Sequence, residues 1–243
     1  MLAKSTAIVL RIVDFKESSK IVTLLTEGYG KIAVMARGVN KPKSKFAGLM
    51  QPGNLLDVMF YYKQTRSVQN LSEANLADQT WKIRSDIEKM AIATATLEML
   101  EQLTHENEEN QELFEFGKSL LVWLHQSKLS PKYLFPYIQM RLSDLLGVGL
   151  QAMESPVQNG YFLNIDEGSV SGMQGSGMAF RLSETQAYYM ELVFSGKKSQ
   201  ILKNDFASVE IKNLIHHLDV YIKHHIPEIR DRRSDYIFQQ LLQ

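Results

Sequence analysis

Over the first third of the chain, apolar and polar side chains alternate in short runs, and each run ends at a turn-forming residue. The runs 6–13, 19–26, 30–37, 54–62 and 66–72 predict five strands, with Ile8, Val9, Ile12, Val13, Ile21, Val22, Ile32 and Val34 filling the first three. Tyr29-Gly30 and Gln51-Pro52-Gly53-Asn54 mark tight connections, and only the connection at 38–53 is long. Five short strands whose edges need cover predict a small closed or partly open barrel, and an SH3-like barrel fits the same periodicity.

From Trp81 the period changes. Ile87, Met90, Ala91, Thr94, Leu97, Glu98 and Glu101 recur at three- and four-residue intervals, which predicts a helix over 84–104. Leu113, Phe116, Leu120, Leu121 and Leu124 mark a second helix after a polar, acidic stretch at 105–112. Ser130-Pro131 reads as the start of a third, running through Tyr137, Arg141 and Leu145 to Gly147. Pro136 lies inside that segment, so either a kink or a helix beginning there is expected. Residues 149–178 are rich in Gly and Ser and predict a loop with a short ribbon around Gly160–Ile165 and Gly168–Gly172. Helical signals return at 183–194 and 205–225. The expected architecture is two-domain α+β: a barrel over 1–80, then a mainly α-helical domain over 81–243 with an irregular insert near 150–178.

Charge sharpens this division. The 243 residues carry no net charge, yet residues 1–80 hold eleven Lys or Arg against six acids, a balance of +5 that leaves −5 for the remainder. A basic first third focuses a polyanion onto one end of the molecule. Much of that charge sits in GKIAVMARGVNKPKSKF, residues 30–46, where strand alternation gives way to a mobile-looking segment. There Arg37, Lys41, Lys43 and Lys45 occur without an acid, Gly38 joins strand to loop and Pro42 keeps the loop extended. Such a segment suits a phosphate backbone, or it is a solvated lysine loop.

Single-strand recognition adds aromatic platforms to basic charge. Phe15, Tyr29, Phe46, Phe60, Tyr61 and Tyr62 lie in the basic part, each readable as core or as a stacking surface. Alternation puts Phe60 and Tyr62 on one face and Tyr61 on the other. Tyr29 and Phe46, beside turns and lysines, are the stacking candidates.

Reaction chemistry has little to stand on. There is no cysteine, hence no disulfide, thiolate nucleophile or cysteine zinc site. His216, His217, His224 and His225 cluster near the C-terminus without metal-ligand spacing, and surface or half-buried histidines are expected. Glu98, Glu101, Glu106, Glu108, Glu109, Glu112 and Glu115 read as a solvated acidic face. The run GSVSGMQGSG lacks the lysine and following helix of a phosphate loop. The opening apolar run ends at Arg11, too short for a signal-peptide core, and no window approaches a membrane span.

The blocks AIVLR, ESSKIVTLLTEGYGKI and ARGVNKPKSKFAGLMQP, in that order, closely resemble the N-terminal region of the RecO family of bacterial DNA repair proteins. The resemblance continues through SDIEKMAIATATLEMLEQL, RLSDLLGVGLQ and YIKHHI, and so covers essentially the whole chain. It implies a five-stranded oligonucleotide-binding (OB) barrel followed by a helical domain. It implies a cytoplasmic recombination mediator, nucleoid-associated during repair, that binds single- and double-stranded DNA. Such a protein anneals strands coated with single-stranded-DNA-binding protein and assists RecA loading together with RecR, without catalysis or cofactor. Carried over by position, the basic barrel surface is Arg11, Lys16, Lys20, Arg37, Lys41, Lys43 and Lys45, with a barrel-facing salt bridge as the lesser reading of Arg11. The acidic C-terminal tail of single-stranded-DNA-binding protein wants an apolar pocket rimmed by cations, for which Trp123, Leu124, Lys128, Lys132, Tyr133 and Arg141 are the candidates. Many members hold zinc with four cysteines in the insert. Here Met153–Gly177 has none, and packing through Val157, Tyr161, Phe162 and Ile165 is expected to hold a degenerate knuckle in its place. The competing class is an adaptor whose barrel binds protein; RNA offers the same phosphate chemistry as DNA.

Overall fold

The structure, a computed structural model, describes residues 1–41, 43–153 and 160–242. The chain divides into two compact units, Met1–Ser127 and Lys128–Gln243.

In the first unit, β1 (Leu2–Phe15), β2 (Ser19–Thr26), β3 (Gly30–Ala36), β4 (Leu55–Tyr61) and β5 (Val68–Asp78) close into a barrel in the order β1-β2-β3-β5-β4. β1 pairs antiparallel with both β2 and β4, while β3 and β5 run parallel. This is the five-stranded OB arrangement. Inward-facing Ala7, Val9, Val22, Leu24, Val34, Leu56, Val58 and Phe60 form its core. Strict alternation fails in the middle of β1, where Ala7, Ile8, Val9 and Leu10 are all buried. A strand covered on both faces reads as a continuous apolar run. The cover comes from α1 (Ile87–Leu103) and α2 (Gln111–Gln126), both of which contact β1. Gly117 permits that approach: a Cβ there would stand 2.8 Å from Leu100 Cδ1 and 2.9 Å from Ile8 Cδ1. A 3-10 turn at Trp81–Ser85 joins barrel to helices, and Asp86 caps α1 by accepting from the Glu88 and Lys89 amides.

The second unit holds α3 (Phe135–Leu145), β6 (Gln151–Ala152), β7 (Tyr161–Asn164), β8 (Ser169–Ser171), β9 (Ala179–Leu182), α4 (Glu184–Phe194), α5 (Lys198–Ile201), α6 (Ser208–His225) and α7 (Asp235–Leu241). The expected start of the third helix at Ser130-Pro131 is corrected. Those residues form a turn, with the Lys132 amide on Ser130 Oγ at 3.2 Å and the Leu134 amide on the Pro131 carbonyl at 2.8 Å. The helix begins at Phe135, with Pro136 in its first turn, where the missing N–H costs no hydrogen bond. Ser183 and Gln186 form a full capping box at the start of α4.

The insert is more ordered than a ribbon. β7 and β8 stand where expected, and β6 and β9 extend them into a four-stranded sheet in the order β6-β8-β7-β9. Of the packing residues expected to replace a zinc knuckle, only Ile165 is fully buried; Tyr161 is 43% exposed, Phe162 is half-buried, and Val157 lies outside the described residues. Leu163, Val170 and Leu182 are the other buried apolar residues of this sheet. A buried asparagine ties it together. Asn164 Nδ2 donates to Ser171 Oγ and to the Met173 carbonyl, both at 3.2 Å, and Asn164 Oδ1 accepts the Gly175 amide at 2.8 Å. Zinc does not fit here: cysteine is absent, and among the described residues no group of three His, Cys, Asp or Glu is placed to hold a metal ion.

The C-terminal histidines hold this sheet against α6. His225 Nε2 lies 2.9 Å from the Ile165 carbonyl, His224 pairs with Asp166 at 3.1 Å, and Tyr221 donates to the Val148 carbonyl at 2.7 Å. His217 stacks on Phe180 with ring centroids 4.2 Å apart, and its Nδ1 is buried without a hydrogen-bond partner among the described residues. Burial first, and then neighbouring His216, push the His217 pKa down, against a smaller opposing pull from Glu210. The unfolded chain therefore takes up this proton before the native state does. Stability is present above the unfolded His value of about 6.5 and declines as pH falls from there toward the lowered native value. Denaturation midpoints measured from pH 8 to pH 5 should fall across that window, and His217→Gln should flatten the decline. An equal decline in the variant would show that His217 is not its source.

Candidate nucleic-acid interface

The β3–β4 connection is built from successive turns. Gly38, at φ +72°, swings the chain off β3, and amides three residues apart then bond back: Lys41 to Gly38, Ser44 to Lys41, Ala47 to Ser44 and Leu49 to Phe46, each at 3.1 Å. Buried Asn54 secures the far side through Nδ2, which donates to the carbonyls of Gly48 at 3.2 Å and Leu49 at 2.8 Å. The mobile-looking loop of the sequence is thus a folded one, and Pro42, read as keeping it extended, lies outside the described residues.

What fixes the loop is apolar. Phe46 (3% exposed) and Met50 (4%) join the barrel core, with Leu49 and Val39 packed alongside. Phe46 is therefore corrected from stacking platform to core plug, because the loop folds over the open end of the barrel and the ring goes inside. With Phe46 inward, its neighbours point out: Lys41, Lys43 and Lys45 are exposed, as is Arg37. Arg37 Nη2 donates to Asn70 Oδ1 at 3.4 Å, and Lys45 Nζ to the Ser72 carbonyl at 2.6 Å, so both lean over β5. Lys41 and Lys43 make no ion pair among the described residues.

The β1–β2 turn lies beside this loop, joined by the Asn40 amide on the Ser18 carbonyl at 3.5 Å. It brings exposed Lys16, whose ammonium stands 5.5 Å from the Phe15 ring centroid. Lys16 (φ +58°) and Lys43 (φ +60°) are two of three non-glycine residues with positive φ among the described residues. Left-handed backbone is uncommon for lysine, and the loop folds hold both residues in it.

Three of the expected contacts are placed differently. Arg11 is turned toward the helices and pairs with Glu101 at 3.3 Å, the salt-bridge alternative. Lys20 is paired with Asp14 at 2.6 Å and only 19% of its side chain is exposed. Tyr29 sits at the opposite end of the barrel from the basic loop, because β3 runs between them. Its ring packs edge-on against Phe60 at 5.3 Å and lies 5.1 Å from Tyr62. Outside with Phe15, 37% exposed, is Tyr61, 53% exposed. Alternation had separated it from Phe60 and Tyr62, but only closure of the barrel decides which set faces in.

The residues expected to receive an acidic tail divide between the units. Trp123 and Leu124 lie on α2 in the first; Lys128, Lys132, Tyr133 and Arg141 belong to the second. Leu124 is corrected from docking surface to core: it is fully buried, on the inner side of α2 with the buried Leu113, Phe114, Leu120 and Leu121. Trp123 and Lys132 are half-buried and Lys128 is exposed. Tyr133 donates to Asp205 at 2.8 Å and packs edge-on against Phe206, while Arg141 pairs loosely with Asp144 at 3.6 Å.

Residues 1–80 match the family model described as Recombination protein O N terminal, and residues 84–235 match Recombination protein O C terminal. The chain belongs to the recombination protein O family. Among curated members, a DNA repair protein RecO from Chloroherpeton thalassium is 29% identical over 265 aligned residues, covering 100% of both chains. One from Salinibacter ruber is 33% identical over 147 residues, covering 60% of this chain and 56% of that protein. One from an Exiguobacterium species is 34% identical over 148 residues, covering 61% of this chain and 58% of that protein. Among the described residues, no helix is long and apolar enough to cross a membrane.

Proposed function

We propose that this recombination protein O family member is a non-catalytic recombination mediator whose barrel grips DNA backbone through the β1–β2 turn and the β3–β4 loop. The observation that carries the reading is the inward Phe46, which anchors the loop and leaves Lys41, Lys43 and Lys45 facing solvent beside Arg37. Cations on an anchored loop neutralise phosphate at low ordering cost, and such contacts are indifferent to base sequence. Annealing follows from the same property. Two phosphate backbones repel, and a surface that neutralises both lowers the penalty of bringing them together while leaving the bases free to pair.

The relatives' name, DNA repair protein RecO, supports a role in DNA repair; the family resemblance implies the finer pathway, annealing of complementary strands coated with single-stranded-DNA-binding protein and RecA loading with RecR. For the acidic tail of single-stranded-DNA-binding protein, Lys128, Lys132 and Arg141 remain as candidate cations. The direct test is annealing of two complementary labelled strands, each precoated with single-stranded-DNA-binding protein. Substoichiometric protein should accelerate pairing, less so as salt rises. No acceleration at any salt concentration would overturn the annealing role. DNA affinity indifferent to the charges at 37–45 would favour a barrel that binds protein instead.

A further inference from the structure

We infer that Tyr61 is a base-stacking platform on the outer wall of the barrel, so that single strands are held by their bases as well as by their backbone. This rests on the DNA-binding reading above and adds to it a preference for unpaired strands. Across the wall, the strand registers place Met35 on β3 opposite Asn70 on β5, Asn70 opposite Tyr61 on β4, and Tyr61 opposite Leu2 on β1. Directly paired residues share a face and stand about 5 Å apart. These four therefore form one row. Its two aromatic or aliphatic members at the β4–β1 end are unusually bare, Tyr61 at 53% and Leu2 at 48% exposure.

The charge pattern selects the occupant. Arg37 Nη2 rests on Asn70 Oδ1 at 3.4 Å, so a guanidinium reaches the residue directly opposite Tyr61. Lys45 reaches the carbonyl of Ser72, two residues further along β5. A platform with cations to one side matches a nucleotide, whose base has a π-face and whose phosphate seeks charge. Along β1, β4 and β5 away from the row, a shallow open groove is lined by Lys4, Glu27, Asp57, Met59, Glu73 and Asn75. Three carboxylates against one ammonium disfavour phosphate there. A strand is thus directed from Tyr61 toward Arg37 and the loop, not down the groove.

The test compares affinity for a base-bearing single strand, an abasic strand of equal length and a duplex, across salt concentrations. Wild type should prefer the base-bearing strand over the abasic one. Tyr61→Ala should lose about 5- to 140-fold on the base-bearing strand, the range of one stacked base, with its salt slope unchanged. It should lose little on the abasic strand or the duplex, and Tyr61→Phe should bind within about twofold of wild type, since the ring is what stacks. Equal losses by Tyr61→Ala on base-bearing and abasic strands, or no loss on either, would overturn the platform while leaving backbone binding by the loop intact. A wild-type protein that binds no DNA at all would overturn both readings.

Discussion

Replacing Arg37, Lys41, Lys43 and Lys45 together with alanine should reduce the log–log salt slope of single-strand binding by up to about 3 units, at roughly 0.7 per phosphate contact. Affinity at low salt should fall steeply, and wild type and variant should converge as salt rises. The measurement is fluorescence anisotropy of a labelled mixed-sequence strand at several salt concentrations. The fold should survive the change, because all four side chains are exposed and the loop is held by Phe46, Met50 and Asn54. Two surface hydrogen bonds go with them, Arg37 to Asn70 and Lys45 to Ser72, each worth about 1 kcal/mol or less at an exposed site. A thermal melt separates this modest cost from the binding loss. An unchanged slope would move the phosphate site off this loop. Arg11 and Lys20 make useful contrasts: both already have acidic partners, so alanine at either should alter the slope by less than one full contact.

The barrel could be read from the sequence because its signal is local. β3 alternates over all seven of its residues and β4 over six, and even the exception, Ala7 to Leu10, announces burial on both faces. The basic loop was equally legible as composition. Its fold was not. A phenylalanine set among lysines looks exposed until the loop is seen to close over the barrel end, and alternation separates Tyr61 from Phe60 and Tyr62 without saying which set is core until the register turns Tyr61 outward. Both depend on pairings between residues far apart in sequence. The same limit explains the insert. β6 has two residues and β9 four, too few to show a period, and their partners become clear only once the sheet has formed. Leu124 erred the other way: its helical spacing was visible, but spacing alone does not say what covers a helix face.

The largest expected stability effect comes from a residue that no pattern singled out. Arg232 sits in the polar run Glu228–Asp235, where its sequence neighbours Arg230 and Arg233 are both exposed. Its own side chain is 5% exposed, forked onto Asp219 with Nη1–Oδ1 at 2.6 Å and Nη2–Oδ2 at 2.7 Å, and 2.8 Å from Asp235. The guanidinium also lies 4.8 Å over the Phe135 ring, and Gln139 donates to the same Asp219 at 2.7 Å. Burial opposes the arginine's charge, but the hydrogen bonds and attraction of Asp219 and Asp235 outweigh it and raise its pKa. One side chain thus ties α3, α6 and the start of α7 together. Among the described residues, Arg232→Ala would leave the Asp219 carboxylate with Gln139 alone, and breaking a buried pair from one side costs about 3–5 kcal/mol. The slowest-exchanging amides of α6 report this directly, since their opening free energy should fall by that amount while those of the barrel strands stay close to wild type. Arg232→Lys should recover only part of the loss, because an ammonium is a point charge that cannot fork onto both carboxylate oxygens. Arg232→Met with Asp219→Leu should be more stable than Arg232→Ala alone, since it removes the stranded charge along with its partner. If Arg232→Ala instead shifts α6 exchange by less than about 1 kcal/mol, the pair belongs with solvent-screened surface bridges and the second unit is held by its apolar core alone.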